Sequence, residues 1–415
     1  MFQTPMAALM LLTMHADWPR FRGPTGQGES TEKSVPLTWG PKENLTWKTR
    51  LPGPGSSSPI VVKGKAYLTC YSGYNEPGKP MGSQEDLRLH VVCIDAVTGK
   101  IEWDRTVKPR LPEQERIREG HGYASSTPAC DGERVYAFFG RTGVFAFSLE
   151  GKQLWHVEVG SEVNGFGSGA SPVVHGDVVI VNASVESESV VGLDRKTGKE
   201  KWRARGVKEA WGTPVVVASR EGKSEMLLGA LGKLMAIDPE DGSTLWTCKN
   251  DITWYIVPSP VAQAGVAYSI GGRSGVAAVA VKLGGKGDVT STHRLWTGKT
   301  GSNVSSPVLH KGHLYFVNDG TGVAHCLKAD TGEAVYSQRL PRGGSFYASA
   351  VLSEGRVYYL SRDGRTFVVE ASPEYKLLAT NDLGERSMFN ATPAVAEGKI
   401  FIRSDGHLYC IAKKE

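Results

Sequence analysis

The chain has 415 residues, 40% of them hydrophobic, with 50 glycines and a formal net charge of +5 from 48 basic and 43 acidic side chains. The basic residues form no long run, which argues against nucleic-acid binding, a function that draws on a concentrated basic stripe with aromatic platforms. The six cysteines form no CxxC pair and no Cys/His cluster, so neither a metal site nor a disulfide is expected.

In chain order, FQTPMAALMLLTMHA at 2–16 resembles the apolar core of a secretory signal, although it lacks a basic flank and carries Met14 where cleavage prefers a small residue. Residues 1–16 are read as a signal segment too short to span a bilayer. A leader follows over 17–43, and the rest, 44–415, is one domain. No other stretch is apolar enough for a transmembrane anchor, and a monomer suffices.

The segment NLTWKTRLP, 44–52, reads as a lone strand. After it a phrase recurs, small residues then Pro and a short β-branched run: SSSPIVVKG (56–64), SSTPACDG (125–132), SGASPVVHG (168–176), WGTPVVVA (211–218), PSPVAQAG (258–265), SSPVLHKG (305–312), ASAVLSEG (348–355) and ATPAVAEG (391–398). The anchors are Pro59, Pro128, Pro172, Pro214, Pro260, Pro307, Ala350 and Pro393, and six of the seven intervals lie between 42 and 47 residues. Such a period marks a repeat architecture. Behind each anchor come a hydrophobic strand and, in most copies, a strand–turn–strand such as VVCIDAVTGKIEW (91–103) or VVGLDRKTGKEKW (190–202), whose TG turn suits positive φ. Four short strands per period, with no stretch carrying a helical stripe, predict propeller blades.

Eight copies predict an eight-bladed, all-β propeller of four-stranded antiparallel blades. The last copy ends at DGHLYCIAKKE without its fourth strand. The 44–52 segment carries Trp47 where other copies have Trp103, Trp155, Trp202, Trp246 and Trp296, so it is predicted to close the ring and protect an open edge. Cys93, Cys326 and Cys410 fall where other blades have Gly192 and Ala236, a position read as tightly packed rather than reactive. The LGGKGDVTST insertion of blade five (283–292) reads as surface decoration.

IDAVTGKIEW (94–103), LDRKTGKEKW (193–202) and, loosely, IDPEDGSTLW (237–246) resemble the tryptophan-docking repeat of the pyrroloquinoline-quinone-type, quinoprotein-like propeller superfamily. DWPRFRGPTGQG (17–28) resembles the leader of exported planctomycete-like members. The resemblance implies a Trp packed between blades. It splits over function, because some members hold a quinone and calcium under an adjacent cysteine pair while others are cofactor-free periplasmic scaffolds, such as the propeller subunit of outer-membrane β-barrel assembly. This chain has no adjacent cysteines, and Glu186 and Glu188 do not map onto the calcium site. Fold alone does not decide function.

Residues just before each anchor and in the second-to-third-strand loops should rim one mouth of the channel. The candidates for ligand or partner binding are Tyr123, Arg141, Trp211, Trp254, Tyr255, Arg273, Phe346, Tyr347, Arg362, Phe389 and Asn390. Aromatics beside arginines suit stacking and hydrogen bonding to a planar or sugar-like ligand. Two long blade-one segments, 71–88 and 104–120, add recognition loops on the same face. Ser125, Ser126 and Cys130 read as strand residues, since the other blades repeat the Ser-Pro phrase without a histidine to act as base. The expectation is an exported, periplasmic or secreted, non-catalytic propeller without cofactor or metal, binding an envelope protein or an extracellular polysaccharide through this face. The alternative is a quinoprotein-like oxidoreductase using pyrroloquinoline quinone and calcium, or a carbohydrate-active enzyme, in the same funnel with His121 and Asp363 as proton-transfer groups.

Overall fold

A computed structural model describes residues 17–218 and 222–413, apart from the side chain of Glu119. The predicted signal segment, 1–16, lies outside the described residues. Eight antiparallel sheets follow one another around a ring, as the repeat period predicts. Blade one comprises Ile60–Val62, Lys65–Ser72, Arg88–Asp95 and Ile101–Val107, from the channel outwards. In blade eight the outermost strand is Leu45–Arg50, paired with His407–Ile411 so that Trp47 lies opposite Cys410. The ring is therefore closed by the N-terminal strand.

One geometric device recurs in every blade. The register between third and fourth strands slips by a bulge next to the docking position, after Cys93–Trp103, Gly192–Trp202, Ala236–Trp246 and Ala280–Trp296 alike. A bulge re-aims the side chain beside it. The small residue opposite the aromatic makes room for it: a Cβ on Gly192 would lie 2.2 Å from the Trp202 ring. All six cysteines are buried and free, and the three at this position pack beneath Trp103, Tyr336 and Trp47.

Each docked Trp reaches the turn of the next blade. Trp47, Trp103, Trp155 and Trp296 donate their indole N–H to the carbonyls of Ala96, Leu149, Arg195 and Ala329 at 3.3, 2.9, 3.2 and 3.0 Å. The turn glycine is required twice over. Gly198 has φ +74°, and a Cβ there would meet Trp155 at 2.7 Å.

Three seams depart from the rule, the first at blade six, where Tyr336 takes the docking position. Blade seven has Ala379 at the docking position, and Trp39 of the leader stacks instead on Tyr358, with ring centroids 6.3 Å apart. At the seam of blades four and five, Gly287–Asp288 of the LGGKGDVTST insertion pairs in parallel with Trp246 and Thr247 of blade four. Trp246 then donates to Glu225 within its own blade at 2.8 Å. The insertion is a fifth strand sealing a seam, not the surface decoration expected from its composition.

Candidate ligand site in the central channel

The leader forms the floor of the channel. Trp18 exchanges two backbone bonds with Val61 on the inner strand of blade one, at 2.7 and 2.9 Å. Pro19 accepts from Cys130 of blade two, the Gln27 side chain from the amide of Ala262 in blade five at 2.6 Å, and Gly28 from Leu352 of blade seven. Glu29–Ser30 then runs parallel to Leu352–Ser353. Inner strands that would present open edges are thereby capped. Arg22 is fully buried in this plug, bonded through Nη2 to the carbonyls of Gln27 and Pro307, and burial pushes its pKa down to about 9. Phe21 faces the channel as its floor.

The wall is a girdle made by the Ser or Thr before each anchor. The amide of Ser58 donates to Thr127 Oγ1 at 2.8 Å, that of Thr127 to Ser171 Oγ at 3.0 Å, and that of Ser171 to Thr213 Oγ1 at 3.0 Å. The chain of bonds resumes from Ser259 to Ser306, Ser349 and Thr392, and Thr392 returns to Ser58 at 2.9 Å. It breaks once, at the seam of blades four and five, where Ser259 Oγ is buried with no partner. There Trp211 and Ile256 join the blades through the backbone instead, the Trp211 amide donating to Ile256 O at 2.7 Å. The sequence signal was a hydroxyl residue at one position in all eight copies. Reading those residues merely as small hid their role.

The mouth of this cavity, whose volume is about 150 Å³, is aromatic and partly exposed. Trp211, Phe166 and Tyr255 form one cluster, with Trp211 and Tyr255 centroids 5.3 Å apart, and Trp211 Nε1 donates to Gly167 O at 2.8 Å. Across the cavity His121 stacks on Tyr347 at 5.3 Å, and the Arg362 guanidinium lies 3.9 Å from the Tyr347 ring. Arg362 also donates to Asn390 Oδ1, whose amide nitrogen bonds Ser56 Oγ at 3.1 Å. Arg273 lies over the exposed Trp254 ring at 5.4 Å and bonds the Tyr255 hydroxyl. Of the sequence candidates, Trp211, Tyr255, Arg273, Tyr347 and Asn390 line the cavity together with His121.

Others lie elsewhere. Phe346 and Phe389 are fully buried in the blade cores, packed on Phe367 and Tyr409, because the chain turns inward one residue before the mouth. Tyr123 donates to Gln114 and Glu115 carbonyls and Arg141 to that of Pro112, so both anchor the 104–120 loop. Asp363 pairs with Arg365 at 2.9 Å and accepts from Ser361, and it does not line the cavity with His121. Arg403 is a buried clamp between blades eight and one, bonded to Ser57 and to Thr69 O at 2.8 Å. Ser126 Oγ donates to Ala170 O at 2.6 Å, in the segment just before the inner strand Ala129–Cys130.

Beside the cavity a wider groove of about 1100 Å³ lies between the blade-eight loops and the two long blade-one loops. Those loops brace one another through Gln84 and Glu113, two bonds of 2.9 Å, and through Tyr74 to Glu115. Arg50, Arg116 and Arg386 rim it, all exposed and none ion-paired among the described residues, while Lys79 is matched by Glu76 at 2.6 Å. Burial pushes the Asp405 carboxyl up to about 6. Met81, Ile117 and Met388 supply apolar surface. Under the 104–120 loop, burial raises both Glu113 and Glu186 to about 7. Glu113 is bonded by Thr142 at 3.2 Å, and Glu186 by Ser168.

Among the described residues the carboxylate lining the central cavity is Asp319, whose Oδ1 already accepts from Ser302 Oγ and the Asn303 amide, whereas a calcium ion takes six to eight oxygens with several carboxylates. Among the described residues no group of three His, Cys, Asp or Glu could hold a metal.

No curated protein matches the chain in sequence. In fold it is similar to BamB from Moraxella catarrhalis, with a TM-score of 0.63 at 14% identity over 89% of this chain and 98% of that one. It is similar also to quinohemoprotein alcohol dehydrogenase from Comamonas testosteroni, with a TM-score of 0.59 at 13% identity over 96% of this chain and 81% of that one. A computationally designed protein, Ika8, aligns at 0.61 and 15% identity over 88% and 98%. The family described as outer membrane protein assembly factor BamB matches residues 86–220 and 232–373, more than half of the sequence, and the chain belongs to that family of quinoprotein-like propellers.

Proposed function

We propose that this propeller is a non-catalytic scaffold that binds an acidic segment of a cell-envelope protein through its mouth face. The observation that carries this reading is the groove with three exposed arginines, none ion-paired among the described residues, around a floor of methionine and isoleucine. Unpaired guanidiniums attract carboxylates and steer association, while methionine surfaces adapt to varied apolar side chains. In blade five, at the mouth of the channel, Arg273 lies over the exposed Trp254 ring. Membership of the family named for outer-membrane protein assembly agrees with a partner in the envelope. Among the described residues no helix is long and apolar enough to cross a membrane, so attachment by a partner fits this role.

The test is photo-cross-linking from Ser387 in envelope extract, comparing wild type with an Arg50→Glu, Arg116→Glu, Arg386→Glu variant. A discrete protein adduct that is lost on charge reversal, and weakened by salt, is expected. An adduct indifferent to reversal, or glycan alone in the eluate, would overturn the protein-scaffold reading.

A further inference from the structure

We infer that the central cavity is a second, separate binding site, which takes one pyranose-sized polyol ring, free or at the end of a glycan. Seven girdle hydroxyls line it: Ser58, Thr127, Ser171, Thr213, Ser306, Ser349 and Thr392, each at most 6% exposed. Every one accepts a neighbouring amide, and among the described residues none donates to a protein acceptor. A hydroxyl is both donor and acceptor, so seven O–H donors remain for whatever occupies the cavity.

The complementary observation is an orphaned acceptor. Asn303 is 4% exposed, lines the same cavity, and its Oδ1 has no hydrogen-bond partner. Asp319 beside it accepts through Oδ1, and among the described residues nothing bonds its Oδ2. Leaving a buried acceptor unpaired is destabilising, so the occupant must donate as well as accept.

These demands sort the ligand classes. An apolar ring would strand the seven hydroxyls, and a bare oxyanion would face the amide oxygen and the Asp319 carboxylate. A sugar ring donates and accepts around its rim and turns C–H faces toward Trp211, Phe166, Tyr255 and, below, Phe21. The size agrees, since a cavity of ~150 Å³ holds a single six-membered ring. The partly exposed mouth at Arg273, Tyr255 and Tyr347 lets a glycan continue outward from a ring seated within.

The experiment titrates the purified full chain with glucose, galactose, N-acetylglucosamine and glucuronate, using saturation-transfer NMR, with benzoate and phosphate as controls. At least one sugar should bind with Kd of about 10 mM or tighter. Asn303→Leu should weaken it about tenfold or more, while Leu154→Ala, exposed on the outer strand of blade two, should change it less than about twofold. Should Asn303→Leu misfold, Arg273→Gln at the exposed edge carries the same expectation at about threefold or more. Failure of every sugar to bind, stronger binding of benzoate or phosphate, or sugar binding indifferent to the cavity variants would overturn the inference. Because no partner protein is present, these outcomes are independent of the groove.

Discussion

The seam between blades one and two and the seam between blades four and five do the same work by different means. In the first, the girdle bond from Ser58 to Thr127 holds the channel side, and Trp103 docks on the turn at Gly151, bonded to Leu149 O. In the second, the girdle is interrupted, Trp246 turns to Glu225 of its own blade, and an inserted strand and the Trp211–Ile256 bridge hold the blades together. The difference teaches that a repeat fixes where two blades must adhere but leaves the adhesive open, provided buried polar groups are satisfied and the edge is covered. The interrupted seam is also where Trp211 and Tyr255 enter the cavity wall, so the irregularity shapes the binding site.

The largest test of this comparison removes the docked rings. Trp103→Ala should lower stability by about 3–5 kcal/mol, and Trp202→Ala by a similar amount, through lost burial and the cavity left behind. The two should separate on substitution by Phe. Trp103→Phe strands the Leu149 carbonyl, whereas Trp202 Nε1 has no partner to lose, so Trp103→Phe should cost more by about 1 kcal/mol in denaturant midpoints. Equal costs would show that the indole bond contributes nothing at the regular seam.

Next come the glycines. Gly198→Ala places a methyl into Trp155 as well as straining a positive φ, for about 2–4 kcal/mol together, while Gly176→Ala, with φ +53° and open space around it, should cost only about 1–2 kcal/mol. Thermal melts of the pair separate docking from backbone strain.

The girdle gives a smaller contrast. Ser171→Ala leaves the buried Thr127 amide unpaired and should cost about 1–3 kcal/mol, whereas Ser259→Ala, removing a hydroxyl without a partner, should be neutral or slightly stabilising. A destabilised Ser259→Ala protein would mean that the interruption is bridged.

The smallest effect concerns pH at the loop lying over blades two and three. Glu113 and Glu186 are each raised by burial from an ordinary 4.5 to about 7, with Arg141 opposing the shift at Glu113 and the Glu113 carboxylate adding to the shift at Glu186. The folded state therefore holds extra protons between these values. Stability from both groups is fully present below about pH 4.5 and is lost as pH rises to about 7, by at most ~1.4 kcal/mol per pH unit for each group. Hydrogen exchange of residues 110–118, corrected for intrinsic rate, should be slower at pH 5.5 than at pH 8, and Glu113→Gln should reduce that difference.

The repeat count, the strand order within a blade, the closing strand at Trp47 and the docking tryptophans were legible in the sequence because each is a local pattern copied at a fixed spacing. The small residue at Cys93, Gly192 and Ala236 was legible for the same reason. What the chain does once, rather than eight times, was decided only by the tertiary structure. Trp39 fills the place that Ala379 leaves empty, Phe21 closes the channel floor, and Arg403 clamps the ring, and each meets its partners hundreds of residues away in sequence. Phe346 and Phe389 share the composition of a rim and lie in a core, since a one-residue change in where the strand begins sends an aromatic ring inward. The groove with Arg50, Arg116 and Arg386 assembles from both termini and a long loop. Local pattern carries period and packing, while a site made of single residues from many blades exists only when the ring has closed.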